Sequence, residues 1–204
     1  SITEAAKLAA ESDVSLLFVG TSLEVADESA DRKDLDLPGN QLELIKAVYK
    51  ANPNTIVVLI NGMPLAVNWT DENIPAILEA WYPGQAGGAA IADVLFGEYN
   101  PAGRLPVTFY KDTTQLPPIG DYDITKGRTY WFLDEKPLYR FGHGLSYTTF
   151  EYSNLNHPSQ LKNGDNFKVS VDIQNTGGMA GDEVVQLYTS DREASLPAAK
   201  RKLQ

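Results

Sequence analysis

The first hundred residues alternate between short apolar runs and longer amphipathic stretches. The apolar runs have the length and composition of strands buried on both faces of a sheet, and they occupy residues 13–20, 55–60 and 76–81. Helical periodicity or helix-forming composition marks the neighbouring segments, at residues 3–11, 40–51 and 85–96. Because strands and helices alternate over short connections, the pattern predicts an α/β fold with a mainly parallel sheet. Thr3 is the predicted cap of the first helix.

The pattern changes after residue 100. Residues 100–148 contain many Pro, Gly and Tyr residues and little periodicity, which indicates an ordered connection packed through its aromatic side chains. From Phe150 onward, apolar and polar residues alternate as they do in antiparallel strands, at residues 150–155, 167–175 and 182–190. The predicted domains are therefore 1–110 for the α/β part, 111–148 for the connection and 149–204 for the beginning of an all-β sandwich.

Both predicted domains contain few strands. Three parallel strands are few for a free-standing α/β domain, so we expect earlier strands of the sheet upstream of Ser1. Three antiparallel strands cannot close a sandwich, so we expect the β part to continue beyond Gln204. The residues after Ser1 lack the basic and apolar regions of a signal peptide, and no apolar run reaches the ~20 residues that a membrane span needs.

Composition removes several classes of function. The formal net charge of −10 disfavours nucleic acid and anionic membranes as partners, because both require a basic surface. The chain has no cysteine, which excludes thiol nucleophiles, disulfides and cysteine metal sites. Its two histidines, His143 and His157, are too few for a zinc site or a Ser-His-Asp triad. We expect no metal and no cofactor, whereas a neutral ligand such as a sugar remains compatible with the charge.

The polar loop at 21–36 carries the strongest functional pattern. It follows the carboxyl end of the first predicted strand, where open α/β sheets place their ligand sites. Six acids lie in it: Glu24, Asp27, Glu28, Asp31, Asp34 and Asp36. Their spacing lacks the register of a calcium loop. From pattern alone, a solvated surface loop is the simplest interpretation of these acids.

Three other features have mainly structural interpretations. Trp81-Tyr82 could stack on a sugar ring, although aromatic residues at a domain seam are commoner. The glycine-rich stretch 84–88 does not match a phosphate-binding loop and indicates close packing of a helix on a sheet. His143 lies between two glycines and is interpreted as structural.

Six groups of residues, taken together and in order, resemble glycoside hydrolase family 3. They are Asp31-Arg32 with Leu35 to Gly39 (LDLPG), ILEAWYPG at 77–84, IADVLFG at 91–97, NPAGRLPVT at 100–108, GRTY at 127–130 and FGHGLSYT at 141–148. The resemblance implies the later part of a three-layer α/β/α sandwich followed by the start of a fibronectin-III-like domain. It also implies a (β/α)8 barrel domain of the same enzyme that is not in this sequence.

The resemblance further implies a catalytic role for one acid. Retaining glycosidases use two carboxylates about 5–5.5 Å apart, a nucleophile and an acid/base. In this family the nucleophile is an Asp on the barrel, and the acid/base is typically a Glu three residues before an Asp-Arg pair. That position is Glu28 here, with Ser29 where the family often has Gly; Asp27 and Glu24 are its rivals.

The implied function is exo-acting hydrolysis of terminal β-linked sugars by a β-glucosidase or β-xylosidase. The expected partners are a β-linked oligosaccharide or glycoside, the barrel domain, and a second copy of the chain in a homo-oligomer, with a periplasmic or secreted location favoured over a cytoplasmic one. The alternative is a non-catalytic module that binds carbohydrate or packs between domains. Whether the sugar is glucose or xylose stays open in the sequence.

Overall fold

The computed structural model describes residues 1–25, 27, 31–160, 164 and 166–204. The chain divides into two compact units. We call the first the α/β unit; it comprises residues 1–91, 105–143 and 186–204. We call the second the β unit; it comprises residues 92–104 and 144–185.

Within the described part of the α/β unit, a parallel sheet is formed by β1 (Ser15–Gly20), β2 (Thr55–Ile60) and β3 (Ala76–Glu79), in the order β1-β2-β3. Ser15 pairs with Thr55, and Ile56 pairs with Ala76. The predicted parallel sheet is confirmed. Strand β3 is two residues shorter than predicted because Trp81 adopts a left-handed backbone conformation with φ 54°, which an extended strand does not accommodate.

Helices α1 (Ile2–Ala10), α2 (Gln41–Ala51), α3 (Asn68–Asn73) and α4 (Gly87–Leu95) alternate with the strands. Helix α1 is capped by Ser1, whose hydroxyl accepts from the Glu4 amide while the Glu4 carboxylate accepts from the Ser1 amine. The prediction that Thr3 caps this helix is therefore wrong, because Ser1, two residues earlier, is the cap and forms a capping box with Glu4. Helix α3 was not predicted, since its six residues are too few for a helical period to show.

The core of the α/β unit lies between α2 and the sheet. Ile45 of α2 is fully buried, as are Val57 and Val58 of β2. Strand β1 differs, because its Leu16 and Phe18 are 43% and 56% exposed. The expectation that this first strand is buried on both faces is wrong for the described residues, in which β1 is one of the two edge strands of the sheet.

The rest of the α/β unit packs through aromatic side chains, as the composition predicts. A backbone bridge joins Phe109 to Tyr139, and Phe109 is 1% exposed. A 3-10 helix at Thr113–Gln115 and helix α5 (Thr129–Phe132) lie between these two residues in sequence. The last elements of the unit are two short antiparallel strands, which we number by chain order as β6 (Tyr188–Thr189) and β7 (Lys202–Leu203).

The β unit contains β4 (Phe150–Asn156) and β5 (Ser170–Asn175), which pair antiparallel from Phe150 opposite Asn175. The predicted change from parallel to antiparallel structure is confirmed, and the pair agrees with the start of a fibronectin-III-like sandwich. Of the strand predicted at 182–190, the structure has only β6, so the predicted length is wrong. Val184 and Val185 are 44% and 50% exposed there, with no strand assigned to them. The domain boundaries themselves stay a prediction.

Candidate functional site at the carboxyl edge of the parallel sheet

The carboxyl ends of the three described parallel strands meet at one edge of the sheet. Strand β1 ends at Gly20, whose positive φ of 149° and close approach to Ile60 require glycine, since a Cβ atom there would lie 1.9 Å from the Ile60 carbonyl oxygen. The Gln41 side chain accepts from the Gly20 amide at 2.6 Å and donates to the Gly20 carbonyl at 2.8 Å. This reciprocal pair fixes the start of α2 against the end of β1, and therefore anchors both ends of the loop between them.

The loop between β1 and α2 starts at this edge, as predicted. Its described residues include Glu24 and Asp27, which are exposed. Glu28, the predicted acid/base, lies outside the described residues together with Ala26, Ser29 and Ala30. The prediction that Glu28 is exposed on this loop therefore stays a prediction. Which of Glu28, Asp27 and Glu24 is the acid/base also stays open.

Arg32 ties the second half of the loop to the α/β unit. Its Nη2 donates to the Pro64 carbonyl at 2.9 Å. Its Nε and Nη1 atoms are buried and have no hydrogen-bond partner among the described residues. Burial lowers the pKa of Arg32, and the nearby acids Asp34 and Asp36 oppose that effect. The guanidinium is thus a partly desolvated cation within the acidic loop, and two of its nitrogen atoms have no hydrogen-bond partner in the part of the chain that the structure describes.

Glu79, the last residue of β3, brings a second carboxylate to the same edge. Its Oε1 accepts from the Trp81 amide at 3.0 Å, and its Oε2 accepts from Nδ2 of Asn61 at 3.3 Å. Burial raises the pKa of Glu79 to about 7, and the two hydrogen bonds oppose this rise only in part. A carboxyl group with a pKa near neutrality titrates in the working range of most enzymes.

Asn61 supports Glu79 from the end of β2. It is fully buried, and its Nδ2 also donates to the Met63 carbonyl at 2.9 Å. Its Oδ1 has no partner among the described residues. One buried amide therefore links the ends of β2 and β3.

Trp81 and Tyr82 continue the edge from Glu79 toward the loop. The Trp81 ring meets the buried ring of Phe109 edge to face, with centroids 6.0 Å apart. The Tyr82 hydroxyl and the Thr21 hydroxyl are hydrogen-bonded at 2.9 Å. Gly62 leaves room for the Tyr82 ring, because a Cβ at Gly62 would lie 2.6 Å from it. These contacts support a packing role for both aromatic residues, while the stacking of a sugar on them stays untested.

His143 has the structural surroundings that the sequence indicated. Its ring stacks on Tyr139 with centroids 5.1 Å apart. The Tyr139 hydroxyl donates to Asp71 at 2.6 Å, and burial, with Asp71 and Glu79 nearby, raises the pKa of Tyr139. The tyrosine therefore remains a neutral donor.

A cavity of about 370 Å³ lies elsewhere in the α/β unit. Aromatic side chains form part of its wall, including Tyr130, Phe141 and Tyr188. Tyr130 stacks on Phe141 with centroids 4.4 Å apart. The buried hydroxyl of Thr108, which also lines the cavity, has no partner among the described residues. No acid that the sequence singled out lines this cavity.

Glu79 and Asn61 were not identified from the sequence as site residues. A glutamate that closes an otherwise apolar strand, directly before two aromatic residues, is the one feature that could have drawn attention to Glu79. Within the described ranges, no group of three His, Asp or Glu side chains is arranged to hold a metal ion. In the same part of the chain, none of the helices has the length and apolar character for crossing a membrane.

Comparison with known proteins gives consistent matches. The family model described as "Glycosyl hydrolase family 3 C-terminal domain" matches residues 1–147. A β-xylosidase of Formosa agariphila is 46% identical over 95% of this chain and 27% of its own length. A periplasmic β-glucosidase of Salmonella typhimurium is 39% identical over the whole chain and 28% of its own length.

A solved structure, a β-glucosidase of Erythrobacter marinus, superposes with a TM-score of 0.86. It is 42% identical, and the match covers all of this chain and 28% of that one. This chain thus spans little more than a quarter of the length of each of these three proteins.

Proposed function

Because this chain belongs to glycoside hydrolase family 3, we propose that it forms part of an exo-acting retaining β-glycosidase and supplies that enzyme's acid/base. The observation that carries the proposal is the match to β-xylosidases and β-glucosidases at 39–46% identity over nearly the whole chain. The long loop anchored at the carboxyl edge of the sheet supports it, because loops of this length in compact domains are usually functional.

The proposed mechanism divides the two carboxylates between domains. An Asp on a (β/α)8 barrel, outside this chain, attacks the anomeric carbon and forms a glycosyl-enzyme intermediate. Glu28 first donates a proton to the departing glycosidic oxygen and then accepts one from the water that releases the sugar. Because both steps need Glu28 near the nucleophile, the loop must reach out of its own domain.

The acid/base must hold its proton at the start of the cycle and lose it later. A pKa near the working pH allows both, and it is reached by burial or by a neighbouring negative charge. In the complete enzyme, the barrel Asp and the closed cleft would supply these two influences. Arg32, four residues along the loop and held on Pro64, would restrict how far the loop can swing.

The proposed substrates are glycosides that end in β-linked glucose or xylose. The relatives include enzymes named for each sugar, and the residues that recognise the sugar would lie mainly on the barrel. We also propose a periplasmic or secreted location, in line with the relative named as periplasmic, and assembly into a homo-oligomer.

The test uses the complete polypeptide that contains this chain, with the 204-residue chain as its matched control. Each is assayed on 4-nitrophenyl β-glucoside and β-xyloside, and the anomer released first is identified by proton NMR. We expect hydrolysis with retention by the complete polypeptide and none by the chain alone, because proximity of both carboxylates supplies much of such a rate. Inversion of configuration would refute the mechanism. Inactivity of the complete polypeptide on β-glycosides would favour the alternative of a non-catalytic module.

A further inference from the structure

We propose that Glu79 is a positioning residue that holds the start of the acid/base loop in place through Trp81, Tyr82 and Thr21. The inference rests on the proposed function, since it concerns the loop to which that function assigns Glu28. All four residues of this path lie in the α/β unit. Their contacts form a continuous path from the end of β3 to the first residue after β1.

The path begins with a strained turn. Trp81 has a φ of 54°, in the left-handed region that a bulky residue rarely occupies. Such a conformation costs about 1–3 kcal/mol and persists only where the surroundings fix it. The Glu79 carboxylate fixes it from one side by accepting from the Trp81 amide at 3.0 Å. The Phe109 ring fixes it from the other side by contact with the Trp81 indole.

The strained turn determines where Tyr82 lies. The turn directs the Tyr82 ring over Gly62, where a Cβ would lie 2.6 Å from it. From there the Tyr82 hydroxyl reaches Thr21 at 2.9 Å. Thr21 also donates its amide to the Ile60 carbonyl at 2.9 Å, so it is held by both β2 and Tyr82. The acidic loop therefore starts from a point fixed by the end of β3.

The ionised form of Glu79 suits this role. A carboxylate can accept from the Trp81 amide and from Asn61 at the same time, whereas a neutral amide offers one acceptor oxygen and one donor group. Burial raises the pKa of Glu79 to about 7, so about half of the Glu79 side chains are ionised at pH 7 and the ionised form predominates at higher pH. Glu79→Gln keeps the shape of the side chain and removes one of the two acceptors. The variant therefore separates the hydrogen-bonding role of Glu79 from its contribution to packing.

The kinetic test uses the complete enzyme and compares leaving groups. General acid assistance matters for a poor leaving group and hardly at all for an activated one such as 2,4-dinitrophenolate. We expect Glu79→Gln to lower kcat/KM for an alkyl β-glycoside about 10- to 100-fold, the scale of a small misplacement of a catalytic group. We expect a change below about threefold for the 2,4-dinitrophenyl glycoside. The matched control is Glu72→Gln, an exposed acid on α3, with both rates unchanged.

A second variant tests the path itself. Tyr82→Phe removes only the hydroxyl that meets Thr21, and it should produce the same dependence on leaving group. The double variant Glu79→Gln/Tyr82→Phe should lose no more than the worse single variant, because both act through one path. Equal losses on activated and unactivated substrates, or full additivity, would show that Glu79 contributes only to folding and would overturn the inference.

Hydrogen exchange separates failure of this inference from failure of the proposed function. In the complete polypeptide, Glu79→Gln should speed amide exchange in residues 80–82 and 21–25, and Glu72→Gln should not. If the wild-type polypeptide hydrolyses no β-glycoside, the proposed function fails. The exchange result then still shows whether Glu79 holds the start of the loop in place. If exchange in both segments is unchanged by Glu79→Gln, the inference is overturned whatever the activity.

Discussion

Strand β2 and the pair β4–β5 contain similar amounts of apolar sequence, yet they bury it to different extents. Val57, Val58 and Leu59 of β2 are at most 1% exposed, whereas Tyr152 and Leu155 of β4 are 47% and 64% exposed. A parallel strand between two others is enclosed by its sheet and by helix α2. An alternating strand buries one face, and only when a second sheet covers it.

The difference shows that the two units depend on the rest of the polypeptide to different degrees. The α/β unit has a core of its own built from α2, β2 and the loops around β3. The β unit, within its described residues, has a pair of strands and a network of polar contacts, including the ion pair between Arg104 and Glu183. We therefore expect apolar substitutions to matter most in the α/β unit and polar substitutions to matter more in the β unit.

The largest effect should come from a matched pair of leucine substitutions. Leu59→Ala removes a side chain that is 1% exposed, so we expect a loss of about 2–5 kcal/mol in the free energy of unfolding. Leu155→Ala removes one that is 64% exposed, and we expect a loss of less than about 0.5 kcal/mol. For Leu59→Ala, the loss is measured by urea unfolding monitored by tryptophan fluorescence. For Leu155→Ala, it is measured by urea unfolding monitored by hydrogen exchange of the amides in β4. Equal losses would mean that the β unit buries Leu155 in solution.

The second effect concerns the ion pair of the β unit. Arg104 Nη2 lies 2.8 Å from Glu183, with side chains only 12% and 18% exposed, and Glu183 also accepts from the Tyr152 hydroxyl at 2.6 Å. Arg104→Met leaves a partly buried carboxylate without its cation, so we expect a loss of about 2 kcal/mol, below the value for full burial. Hydrogen exchange in β4 and β5 measures it.

The control for that prediction is Lys126→Met, which removes one partner of the exposed ion pair with Asp121. We expect no measurable loss of stability, because exposed ion pairs contribute little. If Arg104→Met and Lys126→Met have the same small effect, the polar network does not stabilise the β unit.

The smallest effect is a pH dependence in the α/β unit. The pKa of Glu79 is raised from 4.5 to about 7 in the folded chain, so the folded state binds more protons between these values. Stability should therefore fall as pH rises from about 4.5 to about 7, by on the order of 1–2 kcal/mol after allowance for solvent screening. Tyr139, which lies nearby, does not titrate in this range, because burial raises its pKa further above its usual value.

The measurement for this pH dependence is urea unfolding at pH 5 and at pH 7.5, followed by tryptophan fluorescence. Trp69, Trp81 and Trp131 all lie in the α/β unit. Because other carboxylates also titrate, the difference between wild type and Glu79→Gln isolates Glu79. A difference that does not change with pH would mean that the carboxylate of Glu79 is solvated.

The sequence predicts the parallel strands well because each is a short apolar run of fixed length. Strand β2 matches its predicted range of 55–60, and helix α2 begins one residue later than predicted. Short or strained elements are not predicted. Helix α3 has too few residues for a period, and the end of β3 depends on the left-handed conformation of Trp81. That conformation depends on the side chain of Glu79, two residues earlier, and on Phe109, which comes from another part of the fold.

The candidate site at the carboxyl edge of the sheet was also predictable only in part. The position of the acidic loop follows from the end of β1, because a parallel strand must end at the edge where its neighbours end. The link between Asn61 and Glu79 joins two strands through a hydrogen bond, and no spacing in one sequence reveals it. The role of Glu28 comes from resemblance to the family and stays a prediction.

The most direct test of the central claim is chemical rescue of Glu28→Ala in the complete enzyme. General acid/base catalysis contributes about 10²–10⁴-fold, so kcat on a poor leaving group should fall by about that factor. Azide should restore turnover of an activated substrate and yield a β-glycosyl azide, because a small anion can replace the missing base. Glu24→Ala and Asp27→Ala, made in parallel, should keep wild-type rates. Rescue of either of these variants instead, or a Glu28→Ala enzyme with near wild-type rates, would contradict the assignment.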